Sequence, residues 1–362
     1  VDPASVAATC RILGAWADVD SDEVAGVVVA DPLRDGASAW PDRPVDGFDA
    51  VVGNPPFLGQ LRASTSRTGG ERLLLRERFG DLVAAYTDAA WLFLALGMDV
   101  LAPGGRMVLI QPQSLLSARD AGPVRDLMVT SGRLVGLWLD RSGVFAGHAE
   151  VCAPVVERRA GGPLPHGQVR LLVDRSAELV GEVPPPAPGG PWGSLVGGLL
   201  GIPEVGSMDG QQASAGRIGD RAGVTAGFRQ HYYALVGAVH ERSGPGDRRP
   251  PLVTTSSVDP LHSRWSTTTC RFDGRRWAVP VVDLAAVSVV DPVVGAWLEA
   301  RHRPKLLVAT QTTIVEVVAD PAGDMVPLTP LVVVEPEPEE LWHLAAALSA
   351  PAVSAMAARL SV

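Results

Sequence analysis

The stretch Phe48-Asp49-Ala50-Val51-Val52-Gly53-Asn54-Pro55-Pro56-Phe57 limits the fold more than any other part of the sequence. A short apolar strand runs straight into two prolines, each of which fixes φ, removes a backbone donor and disfavours a helical residue before it. The chain therefore leaves its sheet at Asn54 in an extended conformation, with carbonyl oxygens pointing outward. The acceptors Asn54 Oδ1 and Pro55 O suit a ligand that offers two N–H donors on one nitrogen, as an exocyclic amine or a primary amide does. Phe57 adds a flat apolar face beside them.

Acceptors so placed have a chemical use. An aromatic amine is a poor nucleophile because its lone pair is delocalised into the ring. Two acceptors on its hydrogens, set for the geometry of the transition state, stabilise the charge that develops on nitrogen as it attacks an electrophilic methyl group. No strong general base is required.

Helical and strand patterns alternate around this stretch. Residues 4–17 have helical spacing (Val6, Ile12, Leu13, Trp16), and residues 24–30 form a β-branched run that reads as a buried strand before Asp31-Pro32-Leu33. Residues 48–52 are the next strand. Residues 59–80 read as a polar, glycine-containing loop, either folded over a ligand or simply solvated. Residues 81–101 read as one amphipathic helix stopped by Pro103-Gly104-Gly105, with residues 106–111 returning as a strand. Within that helix, Trp91, Phe93 and Leu94 read as core, and Asp88 as either a solvated residue or a support for the site. The alternation predicts an α/β fold: an open, mostly parallel sheet with helices on both faces. Ligands of such sheets sit at the carboxyl ends of the strands, where Asp31 and Asn54 fall.

Composition narrows the class. With 362 residues the chain is long enough for two domains. Its hydrophobic content of 46% and mean hydropathy of +0.17 suit ordinary globular cores, and no apolar run is long enough to span a bilayer. Cys10, Cys152 and Cys270 lie far apart and in no Cys/His cluster, which supports neither a metal site nor a disulfide framework; a reducing cytoplasm fits best. The net charge of −9 argues against a generally basic nucleic-acid binder. Residues 221–310 depart from that balance, with twelve basic and seven acidic residues and a local charge of +5.

Asn54-Pro55-Pro56-Phe57 resembles the Asn-Pro-Pro-Tyr/Phe motif of S-adenosylmethionine-dependent amino methyltransferases, above all the N6-adenine DNA methyltransferases. Ala30-Asp31-Pro32-Leu33 is similar to their third-strand motif. Tyr86-Thr87-Asp88 through Pro112 resembles the helix, Pro-Gly-Gly turn and strand that follow the catalytic motif, and Gly143-Val144-Phe145 before 151–156 resembles a late motif. The order of these motifs, followed by a long C-terminal extension, resembles the gamma arrangement found in restriction-modification and phage-defence systems. The resemblance implies a Rossmann-like methyltransferase sheet over residues 1–160, incomplete at its N-terminus. The first strand, the glycine-rich cofactor loop and a ribose-binding carboxylate would precede residue 1, so the chain reads as a fragment.

The resemblance also implies roles. Asn54 and the Pro55 carbonyl would bind the amine of a flipped adenine, with Pro56 completing the catalytic motif, and Phe57 and Phe145 would stack on the base. Asp31, Pro32 and Asn54 would hold S-adenosylmethionine. The implied reaction is site-specific adenine-N6 methylation of duplex DNA, in the cytoplasm and with restriction or defence subunits as further partners. The same chemistry on RNA, on cytosine N4 or on protein glutamine stays open, as does a DNA-binding defence subunit that no longer methylates.

Residues 161–215 read as a hairpin and a linker rich in Pro and Gly, and residues 216–362 as a mixed α+β target-recognition domain. Arginines interleaved with aromatics, with Arg229, Arg264, Arg275 and Arg276 as the DNA-contacting candidates, suit phosphate contact and stacking. Residues 303–309 and 317–323 resemble a strand pair of such domains, and residues 341–360 read as one or two apolar helices.

Overall fold

The computed structural model describes residues 3–20, 22, 24, 26–58, 68–143, 150–161, 167–205, 217–227 and 229–361. The chain divides into two units, Val1–Gly201 with Arg359–Val362, and Ile202–Ala358.

In the first unit the helices are α1 (Pro3–Ala17), α2 (Pro32–Asp35), α3 (Gly69–Phe79), α4 (Ala89–Val100), α5 (Gly122–Thr130) and α6 (Gly193–Val196). The strands are β1 (Phe48–Gly53), β2 (Leu101–Leu109), β3 (Gln111–Pro112), β4 (Gly132–Leu139), β5 (Val151–Arg158), β6 (Val169–Val173) and β7 (Glu178–Val183). They form one α/β sheet in the order β1-β2-β5-β4-β6-β7, with the short β3 also paired to β5. β1 is parallel to β2 and β4 to β6, whereas β5 runs antiparallel to both β2 and β4, and β7 antiparallel to β6. The sheet is mixed, then, not mostly parallel. The helices α4, α5 and α6 contribute to a single core, Trp91, Leu94 and Met98 meeting Val124, Met128, Trp192 and the sheet residues Met107, Leu134 and Leu137. α4 and α5 pack side by side over this core.

Three local readings change. The described residues of the run 24–30 form no strand: residues 27–30 are irregular and half-buried or exposed, and among the described residues β1 pairs with β2 alone. A β-branched run becomes a strand only where a ladder takes up its N–H and C=O groups. The helix expected over 81–101 begins at Ala89, because Asp88 caps it. The expected loop over 59–80 contains α3, started by a capping box in which Thr68 and Glu71 satisfy each other's backbone N–H groups. That Thr-x-x-Glu signal is legible in the sequence and was the one to use.

Helix α4 is buried nearly all round and ends at Val100, where β2 begins at once. The Pro-Gly-Gly segment belongs to an irregular start of β2, with a register shift against β1 between Phe48 and Ala50. A Cβ on Gly105 would stand 2.8 Å from the Phe48 carbonyl oxygen, so only glycine lets the two strands approach there.

β6 and β7 form the expected hairpin, but β6 is hydrogen-bonded to β4 and extends the sheet. Beyond the proline-rich segment, Trp192 is fully buried in the first core and its N–H donates to the Leu116 carbonyl at 2.6 Å.

The second unit is α+β. Its elements are β8 (Ala222–Ala226), α7 (Arg229–Leu235), β9 (Val239–Glu241), β10 (Leu252–Val253), β11 (Val258–Asp259), β12 (His262–Ser263), β13 (Cys270–Phe272), β14 (Arg275–Trp277), β15 (Pro280–Val282), α8 (Leu284–Val290), α9 (Pro292–Glu299), β16 (Lys305–Ala309), β17 (Glu316–Asp320), β18 (Val326–Pro327), β19 (Val332–Pro336), α10 (Leu341–Leu348) and α11 (Pro351–Ser361). β17-β16-β19-β8 is an antiparallel sheet buried on both faces, by α10 on one side and by Val253, Val258 and Leu331 on the other. The strand pair expected from residues 303–323 is β16–β17, and the terminal helices are α10 and α11. At the start of β16 the Lys305 ammonium is wholly enclosed; it donates to Asp320 Oδ2 at 2.6 Å and to the Gly323 carbonyl at 2.8 Å. Asp320 in turn accepts the N–H groups of Gly323 and Met325.

Candidate functional site

The tetrapeptide Asn54-Pro55-Pro56-Phe57 is held at both ends. On one side the β1–β2 ladder continues to its last rung, where the Ile110 N–H donates to the Gly53 carbonyl at 3.0 Å. On the other, the Leu58 N–H donates to Asp88 Oδ1 at 3.0 Å, and the same oxygen accepts the Ala90 N–H at 2.9 Å, which caps α4. Asp88 is a support, not a solvated residue; it is only 8% exposed. The turn leading to it is fixed by buried Thr87, whose hydroxyl accepts the Ala84 N–H and donates to the Leu82 carbonyl.

Between these anchors Pro55 is buried, Pro56 exposed and Phe57 half-buried. The Asn54 side chain is exposed and has no hydrogen bond among the described residues. Its amide oxygen is thus an open acceptor at the carboxyl end of a parallel strand, on a backbone pinned two ways.

Asp31 lies just before α2. Its N–H donates to the Asp35 carboxylate at 3.0 Å, while its own side chain makes no capping bond and stays exposed. It too is an open acceptor. Two cavities run along the tetrapeptide, and Asp31 lines the second of them. One of about 450 Å³ is lined by Pro32, Trp40, Asn54, Pro55, Pro56 and Phe93 among others. A second, of about 560 Å³, is lined by Asp31, Leu33, Pro56, Leu58 and Phe93 with Leu74, Leu75 and the charged Glu71, Glu77 and Arg78 of α3. Pro56 and Phe93 line both. Trp91 and Leu94 are core, as their spacing implies, but Phe93 is a half-buried wall of the site. Its helical period placed it toward the sheet without showing that the sheet ends there. Trp40, whose ring meets Phe48 edge-on at 6.3 Å, is a further wall that the sequence alone did not single out.

Of the other sequence-derived candidates, Phe145 lies outside the described residues. Arg229 opens α7. Arg264 is engaged within its own hairpin, donating to the Val258 carbonyl and pairing with Asp259 at 3.8 Å, so its charge is already answered. Arg275 and Arg276 stand exposed on β14.

Residues 32–139 match the Eco57I restriction-modification methylase family. No curated protein matches the chain. Among solved structures, a type IIL restriction-modification enzyme, MmeI in complex with DNA, is 12% identical with a TM-score of 0.49, the match covering 83% of this chain and 42% of that one. A class I S-adenosylmethionine-dependent methyltransferase from Listeria monocytogenes, itself described as a candidate, is 19% identical with a TM-score of 0.30, over 37% and 40% of the two chains. A modification subunit of a type I restriction enzyme from Vibrio vulnificus, similarly described, is 21% identical with a TM-score of 0.30, over 41% and 30%. The matches therefore cover between 30% and 42% of the length of each of these chains.

Proposed function

We propose that this chain is the catalytic and target-binding part of a restriction-modification or phage-defence methyltransferase, which moves a methyl group from S-adenosylmethionine to the N6 of adenine in duplex DNA. The observation that carries the reading is the open Asn54 amide within the segment that matches the restriction-modification methylase family, on a backbone fixed by the sheet at Gly53 and by Asp88 at Leu58.

The residues present suit the methyl donor. The open Asp31 carboxylate is an acceptor for an adenine amine, and the apolar cavity beyond Pro32 has room for a flat ring system. When bound, S-adenosylmethionine supplies an electrophilic methyl group whose bonding pair stays on sulfur as the methyl leaves. Asn54 Oδ1 and the Pro55 carbonyl accept the two hydrogens of the target amine and localise its lone pair on nitrogen. One of those hydrogens departs to solvent as the new N–C bond forms. Phe57 offers a face on which an extruded base stacks, offsetting an extrusion cost of roughly a few kcal/mol. The rigid anchoring places both acceptors before the substrate arrives, which is where most of the rate advantage of such a site comes from.

The experiment is transfer of labelled methyl from S-adenosylmethionine to unmethylated duplex DNA, using the protein in its natural full length, with Asn54→Ala as control. Label recovered as N6-methyladenine and absent in the variant supports the reading. Label on cytosine, RNA or protein instead, or retained DNA binding with no transfer at all, overturns it.

A further inference from the structure

We infer that the β13–β14 hairpin is a phosphate clamp, a rigid ribbon whose paired arginines grip the phosphodiester backbone of duplex DNA. The inference rests on the DNA reading above and names the surface of the second unit that meets the nucleic acid.

The hairpin is short and strictly paired: Cys270 faces Trp277, Arg271 faces Arg276 and Phe272 faces Arg275. Asp273 and Gly274 make its two-residue turn with φ of 49° and 71°, the left-handed pair that such a turn demands. In a hairpin closed this way the Phe272–Arg275 pair exchanges hydrogen bonds. The next pair, Arg271–Arg276, is then the non-hydrogen-bonded kind, whose Cα atoms approach to about 4.5 Å. Two guanidinium side chains thus leave the same face of the ribbon side by side.

Like charges directly opposite each other destabilise a strand pair. Elsewhere in the second unit Arg221, Arg249, Arg264, Arg301, Arg303 and Lys305 each reach a carboxylate within 4.0 Å, and Arg242, which reaches none, lies over the Trp265 ring instead. Arg271, Arg275 and Arg276 are exposed and reach none among the described residues. Asp273 in the turn pairs with neither strand's arginines, and Glu241 on β9 is turned onto the N–H groups of Ala278 and Val279. No carboxylate among the described residues answers this pair, and a run of phosphates fits two planar forks better than a single carboxylate does.

The ribbon is also preorganised. Cys270 and Phe272 are buried, and the Phe272 ring packs 5.0 Å from Tyr232. The Tyr232 hydroxyl accepts the Asp273 N–H at 3.1 Å, and Trp277 Nε1 donates to the Phe272 carbonyl at 3.1 Å. One face is bolted to the core of the second unit and the other is left to its partner, so little ordering is needed on binding.

The test is equilibrium binding of the full chain to a fluorescent duplex across a salt series, comparing wild type with Arg271→Ala/Arg276→Ala and Arg271→Lys/Arg276→Lys. Because the changed side chains are exposed, both variants should melt with the wild type. The alanine pair should lose roughly tenfold in affinity near 0.1 M salt and flatten the slope of log affinity against log salt by about 2, alike on unrelated sequences. The lysine pair should recover most of the slope. A wild type that binds duplex while the alanine pair matches it in affinity and slope overturns the clamp alone. A wild type that binds no duplex, or prefers an acidic protein, overturns the clamp together with the DNA reading.

Discussion

The Asp88 carboxylate accepts the Leu58 N–H at 3.0 Å, joining the end of the Asn54–Phe57 segment to the cap of α4 across thirty residues of sequence. One oxygen serves two backbone donors, so the helix start and the Asn54–Phe57 turn are set by the same atom. Asp88→Ala should therefore cost about 1–2 kcal/mol of stability from the lost cap and the stranded N–H. It should also lower kcat for methyl transfer more than it raises KM, because the tetrapeptide loosens. Asp88→Asn, which keeps an oxygen in place, should restore most of both, as read by denaturant melts and steady-state kinetics.

Asn54→Ala makes the opposite prediction. Its side chain is exposed and bonds to nothing among the described residues, so stability should stay within about 0.5 kcal/mol of wild type while methyl transfer disappears. Loss of fold together with activity would remove Asn54 from the chemistry and make it structural.

His231 gives the second unit a pH signature. It is buried, stacks on Trp297 at 4.1 Å, and has its pKa lowered to about 4 by burial and then by the nearby Arg301, with Asp291 opposing. The folded state therefore keeps the ring neutral at pH values where the unfolded chain protonates it. That contribution to stability is complete above the unfolded value near 6.5 and is lost as pH falls toward 4. Unfolding of the chain followed between pH 7 and 4 should show the decline, and His231→Gln should flatten it.

Trp192 tests where the first unit ends. Its indole is buried among residues of α5 and the sheet, so Trp192→Ala should destabilise the first unit by about 3–5 kcal/mol. A chain ending at residue 160 should melt lower still, since it also lacks β6 and β7. Equal stability of the shortened chain would favour the boundary at residue 160 that the resemblance implies.

The cysteines separate by burial. Cys152 is fully enclosed, with its thiol pushed up to about 12, and Cys270 is buried and shifted the same way, whereas Cys10 is half-exposed on α1. A thiol reagent at neutral pH should label Cys10 first in the native protein and reach the other two only on unfolding.

What the sequence disclosed was local. Phe48–Phe57 dictates a strand that must end at Asn54, the β16–β17 pair was legible only through its resemblance to target-recognition domains, and the terminal helices announce themselves by their apolar residues. What it hid depends on partners. The run 24–30 has strand chemistry but no ladder, and Asp88 looks like any helix residue until Leu58 is placed beside it. The direction of β5 cannot be read from apolar residues that suit either orientation. Phe93 keeps the helical period of core residues although the core stops at its ring. Arg264 looked as free as Arg276 because Asp259, which answers it, sits in the same hairpin.

The enclosure of Lys305 settles the character of the protein's outer positive charge. With the only ammonium side chain sealed against Asp320, every other basic side chain apart from histidine is a guanidinium, and guanidinium does not titrate in any range a cell visits. Acylating reagents aimed at side-chain amines find no target on the native surface. Attraction for a polyanion then varies with salt and with the neighbouring carboxylates and histidines, while the arginine charge itself holds constant.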